Sequence, residues 1–439
     1  MDHFLIEGKH RLEGKVCVNG AKNAAVAVIP AAILSNDICI IENLPYIDDV
    51  VFLSEAMNEL GVKTEFLDRH TLQIDSRNLN NFKAVYDSVK KIRGSYYLLG
   101  ALLGRYKQAE VAFPGGCNFG VRPIDQHIKG FEALGAEVVV EHGMIRAKAD
   151  RLIGTSIYLD VVSVGATINI MLAAVLAEGT TTIENAAKEP HIVDTANFLN
   201  SMGANIKGAG TDVIRITGVE KLHGSTYMII PDQIEAGTLM IAGAITQGDV
   251  TVCNIIPKHM ESITAKLQEM GIRIVEGDDW IRVCADKPLS SIQLKTLPYP
   301  GFPTDMQPQM CALLSVANGT SIITEGVWEN RFQYVGELKR MGAQIKVESR
   351  VAIIEGVQSL SATEVSALDL RAGAAMVLAA LAAQGESRVM NIQYIDRGYE
   401  LLEEKLNKLG AYIQRIHSSS DQSLAVHKPK FKVLQQKIG

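Results

Sequence analysis

The chain has no excess of positive charge. Lys and Arg number 43 against 49 Asp and Glu, a formal charge of −6 over 439 residues. A nucleic-acid binder needs a broad positive footprint, so that class is excluded as a main role. Any anionic ligand must be held by local clusters of Lys and Arg. Nor is there a long apolar run. The longest, near Ala372–Ala383, is rich in Ala and Gly and falls short of the ~20 residues that span a bilayer. A buried helix is expected there, and no membrane association. The opening Met1-Asp2-His3-Phe4 lacks the basic-then-apolar pattern of a secretory signal. Cysteines are few and scattered: Cys17, Cys39, Cys117, Cys253, Cys284 and Cys311, with no CxxC pair. Zinc sites and dithiol redox chemistry therefore have no support, and no metal is expected. Four cysteines sit between or beside aliphatics, as in Val16-Cys17-Val18, and read as buried strand residues. Unpaired cysteines and no signal together point to a reducing cytoplasm.

What is present is ordinary globular composition, 47% apolar and 21% charged. The length exceeds one hydrophobic core, so two or more domains are expected. A repeat organises them. A helical pattern ending in Leu or Met, then Gly, then an alternating or β-branched run recurs at Gly61, Gly135, Gly203, Gly271, Gly342 and Gly410. The steps are 74, 68, 68, 71 and 68 residues. Each glycine suits the left-handed residue that ends a helix. A second phrase recurs beside it, a polar or glycine-containing turn opening a helix that is apolar nearly all round. The turns lie at Lys22, Arg93, Gly165, Gly237, Asp305 and Arg371. A helix apolar on all sides is a buried helix. Six helix–strand units follow, three per domain, with the boundary near Tyr227–Asp232. The N-terminal stretch Phe4–Val18 is expected to pair with the last unit and close the second domain. The domains are then 19–229 and 1–18 with 230–416, and 417–439 is a tail. A continuous α/β solenoid is the alternative on the repeat alone.

Helix N-termini carry partial positive charge and free N–H groups, which suit anions. If the turns converge, they form an anion-binding cleft. Lys22-Asn23 opens the first buried helix and is either an anion ligand or a solvated turn. Cys117 stands in Pro114-Gly115-Gly116-Cys117-Asn118-Phe119-Gly120-Val121-Arg122-Pro123. A thiol on such a loop, with Arg122 near to favour the thiolate, suits a general acid or a nucleophile. His127 follows on a helix and reads as structural unless it faces the same site. Asp305, in Phe302-Pro303-Thr304-Asp305, is either a plain N-cap or a general base. Arg331, Arg371 and Arg397 are either structural ion-pair members or bidentate ligands for carboxylate and phosphate.

These motifs, with Ser163-Val164-Gly165-Ala166-Thr167, Glu329-Asn330-Arg331-Phe332 and Asp396-Arg397-Gly398-Tyr399-Glu400, resemble the UDP-N-acetylglucosamine 1-carboxyvinyltransferase family of enolpyruvyl transferases. The likeness runs from about Phe4 to Ile416. It implies a two-domain inverted (inside-out) α/β barrel with buried helices and outer sheets. It implies transfer of the enolpyruvyl group of phosphoenolpyruvate to the 3-hydroxyl of UDP-N-acetylglucosamine, by addition and elimination through a tetrahedral intermediate, in peptidoglycan precursor synthesis, with no cofactor. Lys22, Asn23, Arg122, Arg331, Arg371 and Arg397 would hold phosphoenolpyruvate. Asn23, Arg93, Arg122, Pro123, Ile124, Asp125, Gln126, Ser163, Val164, Gly165, Asp305 and Val327 would bind the UDP-sugar. Cys117 would be the proton donor and the target of fosfomycin, Asp305 the base, and Lys22 a third catalytic group. One departure stands out: where many relatives carry a Lys just before the Ser-Val-Gly motif, this chain has Asp160-Val161-Val162. A shikimate-pathway enolpyruvyl transferase and a non-catalytic nucleotide-sugar-binding paralogue are the rival readings.

Overall fold

A computed structural model describes residues 2–84, 93–113 and 124–417. Among them the repeat is visible as structure. All six motif glycines sit at positive φ, between 90° and 100°, the conformation that a side chain strains and glycine tolerates. Six helices open the units: Lys22–Ala31, Tyr97–Tyr106, Val164–Ala174, Gln233–Ile245, Gln307–Leu314 and Leu370–Ala382. They are buried as their composition requires. In Leu370–Ala382 every residue is buried.

The sheets lie outside them. Six four-stranded sheets share one pattern, an edge strand parallel to its neighbour and antiparallel pairs beyond. Their strands alternate, as in Val213–Thr217, where positions 214 and 216 are buried and 213, 215 and 217 exposed. A sheet with one wet face needs this period of two. The arrangement is the inside-out α/β fold.

Small residues let the inner helices touch. A Cβ added to Gly100 would fall 2.4 Å from the Asn169 carbonyl oxygen of the adjacent helix. Overpacking of this kind costs roughly 1–3 kcal/mol.

Two hydrophobic cores result. One runs from Ala21 to Ile229. The other joins Phe4–Val18 to residues from Ile234 to Ile413. The N-terminal stretch supplies two strands to the second core. His3–Glu7 lies between Glu386–Met390 and Tyr412–Ile416 in the last unit's sheet. Glu13–Cys17 pairs in parallel with Asp249–Cys253 in the sheet of the first unit of that core. The stretch thus joins the last unit to the fourth, where the sequence suggested the last alone.

That register corrects the reading of the cysteines. Cys17 and Cys253 are direct neighbours, Cα atoms 4.5 Å apart, and are joined as a disulfide. They are 236 residues apart in sequence, so no spacing could signal the pair. Cys39, Cys284 and Cys311 are free and buried. The argument from unpaired cysteines to a reducing compartment loses its premise. Among the described residues, no helix is long and apolar enough to cross a membrane. The expected tail, from residue 418 on, lies outside the described residues.

Candidate active site

The chain passes between the two cores at Asn19–Ala21 and again at Ile230–Asp232. The two passages pair with each other, Ala21 N donating to Ile230 O at 2.8 Å and Asp232 N to Asn19 O at 2.9 Å. Helix starts gather here. Asp232 caps Gln233–Ile245 through Oδ1, accepting from Ile234 N and Glu235 N, while its Oδ2 accepts from Lys22 N at 2.9 Å. One carboxylate therefore satisfies the first turns of two helices. Gly237, on the second of them, is packed so closely on Met306 that a Cβ would stand 2.7 Å from its methyl carbon.

Asp305 is not an N-cap. Pro303 and Met306 occupy the cap positions of its turn and of the helix after it, neither with a side-chain cap bond. Its carboxylate instead lies between two arginines. Arg331 Nη2 donates to Oδ1 at 3.3 Å, and Arg371 Nε and Nη2 both donate to Oδ2 at 3.2 Å. Burial alone would raise this carboxyl. Arg371, Arg331 and then Lys22 outweigh it and hold Asp305 well below the usual carboxylate range. The guanidinium groups are almost wholly buried, whereas Asp305 keeps 32% of its side chain exposed. A ligand can therefore reach the carboxylate more readily than the arginines. Arg371 is set by the first turn of its helix, where Asp369 accepts from Arg371 N and Ala372 N, and it lies over the Tyr399 ring at 5.3 Å.

Lys22 and Arg397 meet on a second carboxylate. Asp49 Oδ2 is 2.9 Å from Lys22 Nζ, and its Oδ1 accepts from Arg397 Nε at 2.8 Å. Burial would raise Asp49, but the two cations more than offset it. Four of the expected cations thus stand as two pairs, each bridged by a carboxylate. Sequence reading chose the cations and Asp305 but missed Asp49.

Asn23 lines a narrow cleft with Pro190, His191, Asp232 and His259. Burial pushes His191 down to about 4 against the fields of Asp305 and Asp232, so it is neutral at pH 7. Ser163 caps Val164–Ala174, its hydroxyl accepting from Ala166 N at 3.3 Å. Val164 follows in the first turn, and at Gly165 a Cβ would fall 2.9 Å from His127 Nε2. His127 is itself buried and pushed down to about 4, chiefly by burial, so its role here is packing as a neutral ring. Ile124 and Asp125 open the helix Asp125–Ala133. Gln126 fixes that helix to the Ser163 turn: Asp160 N donates to its Oε1 at 2.9 Å. Lys129 of the same helix reaches Asp160 with both N–O distances 2.8 Å. The turn that lacks a lysine in sequence therefore has one in space. Val327 is held by Glu325, whose Oε1 accepts from Val327 N at 2.8 Å and whose Oε2 accepts from the Thr304 hydroxyl at 3.0 Å. Glu325 was not foreseen either; it is 1% exposed and ties the loop to the residue before Asp305.

Arg93 opens the turn Arg93–Tyr96, which rests on the first helix, since a Cβ on Gly94 would fall 2.7 Å from Val26 Cβ. The Arg93 side chain, Cys117, Arg122 and Pro123 lie outside the described residues.

Comparison with known proteins gives the family. The model of the EPSP synthase family (3-phosphoshikimate 1-carboxyvinyltransferase) matches residues 6–406. The chain belongs to the enolpyruvyl transferase family. Among its enolpyruvyl transferase relatives is UDP-N-acetylglucosamine 1-carboxyvinyltransferase 2 of Clostridium acetobutylicum, 60% identical over 94% of this chain and 99% of the relative. The Clostridium botulinum UDP-N-acetylglucosamine 1-carboxyvinyltransferase is 58% identical over 95% of this chain and 100% of its own. The crystal structure of the enolpyruvyl transferase NikO from Streptomyces tendae superposes with a TM-score of 0.86 at 29% identity, covering 95% of this chain and 99% of that one. EPSP synthase from Acinetobacter baumannii, at 20% identity and a TM-score of 0.74, shares the fold.

Proposed function

We propose that the chain transfers the enolpyruvyl group of phosphoenolpyruvate to the 3-hydroxyl of UDP-N-acetylglucosamine and releases phosphate, in peptidoglycan precursor synthesis. The observation that carries this is the gathering of four buried or half-buried cations on two carboxylates, Arg331 and Arg371 on a reachable Asp305, and Lys22 and Arg397 on Asp49, with the field of Lys22 also reaching Asp305. Phosphoenolpyruvate presents a phosphate and a carboxylate, and two cation pairs match two anionic groups. Lys22 and Arg397, with Arg122, take the phosphate side; Arg331 and Arg371 support the carboxylate side. The division into 19–229 and 1–18 with 230–416 belongs to the same reading: the two cores close on the ligands as domains.

The chemistry balances without a cofactor. The sugar 3-hydroxyl oxygen bonds to C2 of phosphoenolpyruvate, its proton passing to Asp305, while C3 gains a proton from Cys117. The tetrahedral adduct then returns a C3 proton to the Cys117 thiolate and expels phosphate as the double bond returns. Fixed cations around the developing charge lower both barriers, because they need no reorganisation at the moment of reaction. Asn23, Arg93, the 122–126 segment, Ser163–Gly165 and Val327 position the UDP-sugar. A cytoplasmic setting and fosfomycin sensitivity at Cys117 belong to this reading as well.

The acceptor decides between this reading and the sister activity. Phosphate release is expected with UDP-N-acetylglucosamine and not with shikimate 3-phosphate; release with the latter alone overturns the reading. Tight UDP-sugar binding with zero turnover would instead mark a non-catalytic paralogue. On this reading Lys129, paired with Asp160 beside the Ser163 turn, turns to the diphosphate as the cation that the 160–162 stretch lacks. Lys129→Ala should raise KM for the UDP-sugar about tenfold, the worth of one charge-assisted hydrogen bond, and leave KM for phosphoenolpyruvate unchanged.

A further inference from the structure

Asp49 has no part in the chemistry above, yet it joins two residues from different cores. It sits in the first turn of Asp48–Glu59, in the first core. Lys22 begins a helix of the same core. Arg397 follows the short helix Gln393–Asp396 and belongs with the second core. Two like charges do not approach unaided. The bond from Arg397 to Asp49 spans 348 residues of sequence and brings the guanidinium to the lysine side of the boundary.

Exposure says which partner faces a ligand. The Asp49 side chain is 3% exposed, while Lys22 keeps 14% and Arg397 15%. The carboxylate lies behind and the cations in front. An anion arriving from solvent meets Lys22 and Arg397 before it meets Asp49, so the carboxylate backs the pair and is not displaced. Asp305 has the opposite arrangement, a reachable carboxylate on buried arginines.

We propose that Asp49 is a positioning residue that draws Arg397 across the boundary onto Lys22, so that phosphoenolpyruvate meets both cations as one site. This rests on the reading of Lys22 and Arg397 as phosphoenolpyruvate ligands. It assigns Asp49 no contact with substrate. Its consequence is selectivity: loss of the carboxylate injures the phosphoenolpyruvate site and leaves the UDP-sugar site intact.

The test is steady-state kinetics of the full chain as Asp49→Asn, Arg397→Ala and the double variant, with both KM values measured. Asp49→Asn should raise KM for phosphoenolpyruvate about tenfold or more, the worth of one hydrogen bond to a charged group, with KM for the UDP-sugar unchanged. The double variant should be no worse than Arg397→Ala alone, because both remove one coupled unit. If Asp49→Asn does not fold, Asp49→Glu carries the test, since its longer side chain moves the carboxylate without removing it. A selective rise in KM for phosphoenolpyruvate, smaller than that of Arg397→Ala, is then expected. Equal change of both KM values, or of neither, in the Asp49 variant overturns the proposal while a selective Arg397→Ala effect keeps the site reading. An Arg397→Ala chain with unchanged KM for phosphoenolpyruvate overturns the site reading itself.

Discussion

Asp305→Asn is expected to lower kcat by about 10²–10⁴-fold, the usual contribution of a positioned general base. The substitution keeps size and some hydrogen bonding and removes the charge and the proton acceptor. Two effects act together. The sugar hydroxyl loses its base, and Arg331 and Arg371 lose the anion that neutralises them in the free enzyme. The second effect should show in the resting protein as a lower melting temperature, because breaking a buried ion pair strands its partner. KM for phosphoenolpyruvate should not rise, since the two arginines become free to take its carboxylate. A variant with near-native kcat would remove Asp305 from the mechanism.

The pH profile carries a sharper form of the same expectation. In the free enzyme the arginines hold Asp305 well below its ordinary range, so it is ionised throughout the neutral region. Its stabilising pairing is therefore present above the unfolded carboxylate pKa and is lost only as pH falls towards the depressed folded value. A carboxylate so stabilised is a weak base. Once phosphoenolpyruvate draws Arg331 and Arg371 to its own carboxylate, Asp305 regains basicity. The acid limb of kcat, which reports the complex, should lie at higher pH than any acid limb of kcat/KM, which reports the free enzyme. Coincident limbs would mean that the arginines stay on Asp305 during turnover.

The repeat was legible because backbone physics demands it. A helix that turns sharply into a strand needs a left-handed residue, and glycine fills that place in all six units. The buried helices were legible because each is apolar on every side. Lys22 and Arg371 stood out because each lies at the start of a buried apolar helix, whereas Arg331 and Arg397 lie outside such helices and stood out only through the motifs around them. The carboxylates that organise them were not. Asp232 reaches Lys22 across 210 residues, and Asp49 reaches Arg397 across 348. In sequence Asp232 resembles an ordinary N-cap and Asp49 an ordinary acidic residue in a first helical turn, which capping and the helix dipole alone would explain. The Cys17–Cys253 pair was hidden for the same reason, since only strand register places the two side by side. Asp305 was ambiguous until its neighbours were seen. Its helix position suggested capping, and its contacts show an ion pair.

Cys117 carries the second large effect. Cys117→Ser should lose activity by about 10²–10⁴-fold, and Cys117→Asp should keep turnover while resisting fosfomycin. The argument is one of acidity and nucleophilicity. On the proposed path the residue gives a proton to C3 of phosphoenolpyruvate. A thiol can do so at neutral pH, and so can a carboxylic acid whose pKa is raised by burial, whereas a serine hydroxyl is far too weak an acid. Opening the epoxide of fosfomycin asks for a different property, a soft and strong nucleophile, which a thiolate has and a carboxylate lacks. The two substitutions therefore separate the proton donor from the nucleophile. The measurement is phosphate release for each variant, with the intact-protein mass recorded after fosfomycin treatment. The native chain should gain one inhibitor mass on Cys117, and the Asp variant none. A fully active Ser variant would deny the acid role. Full inhibition of the Asp variant would deny that the thiolate is the site of attack. If instead both variants are inactive, Cys117 acts through a bond to carbon or phosphorus that oxygen cannot replace, and the addition step must be rewritten with a covalent intermediate on sulfur.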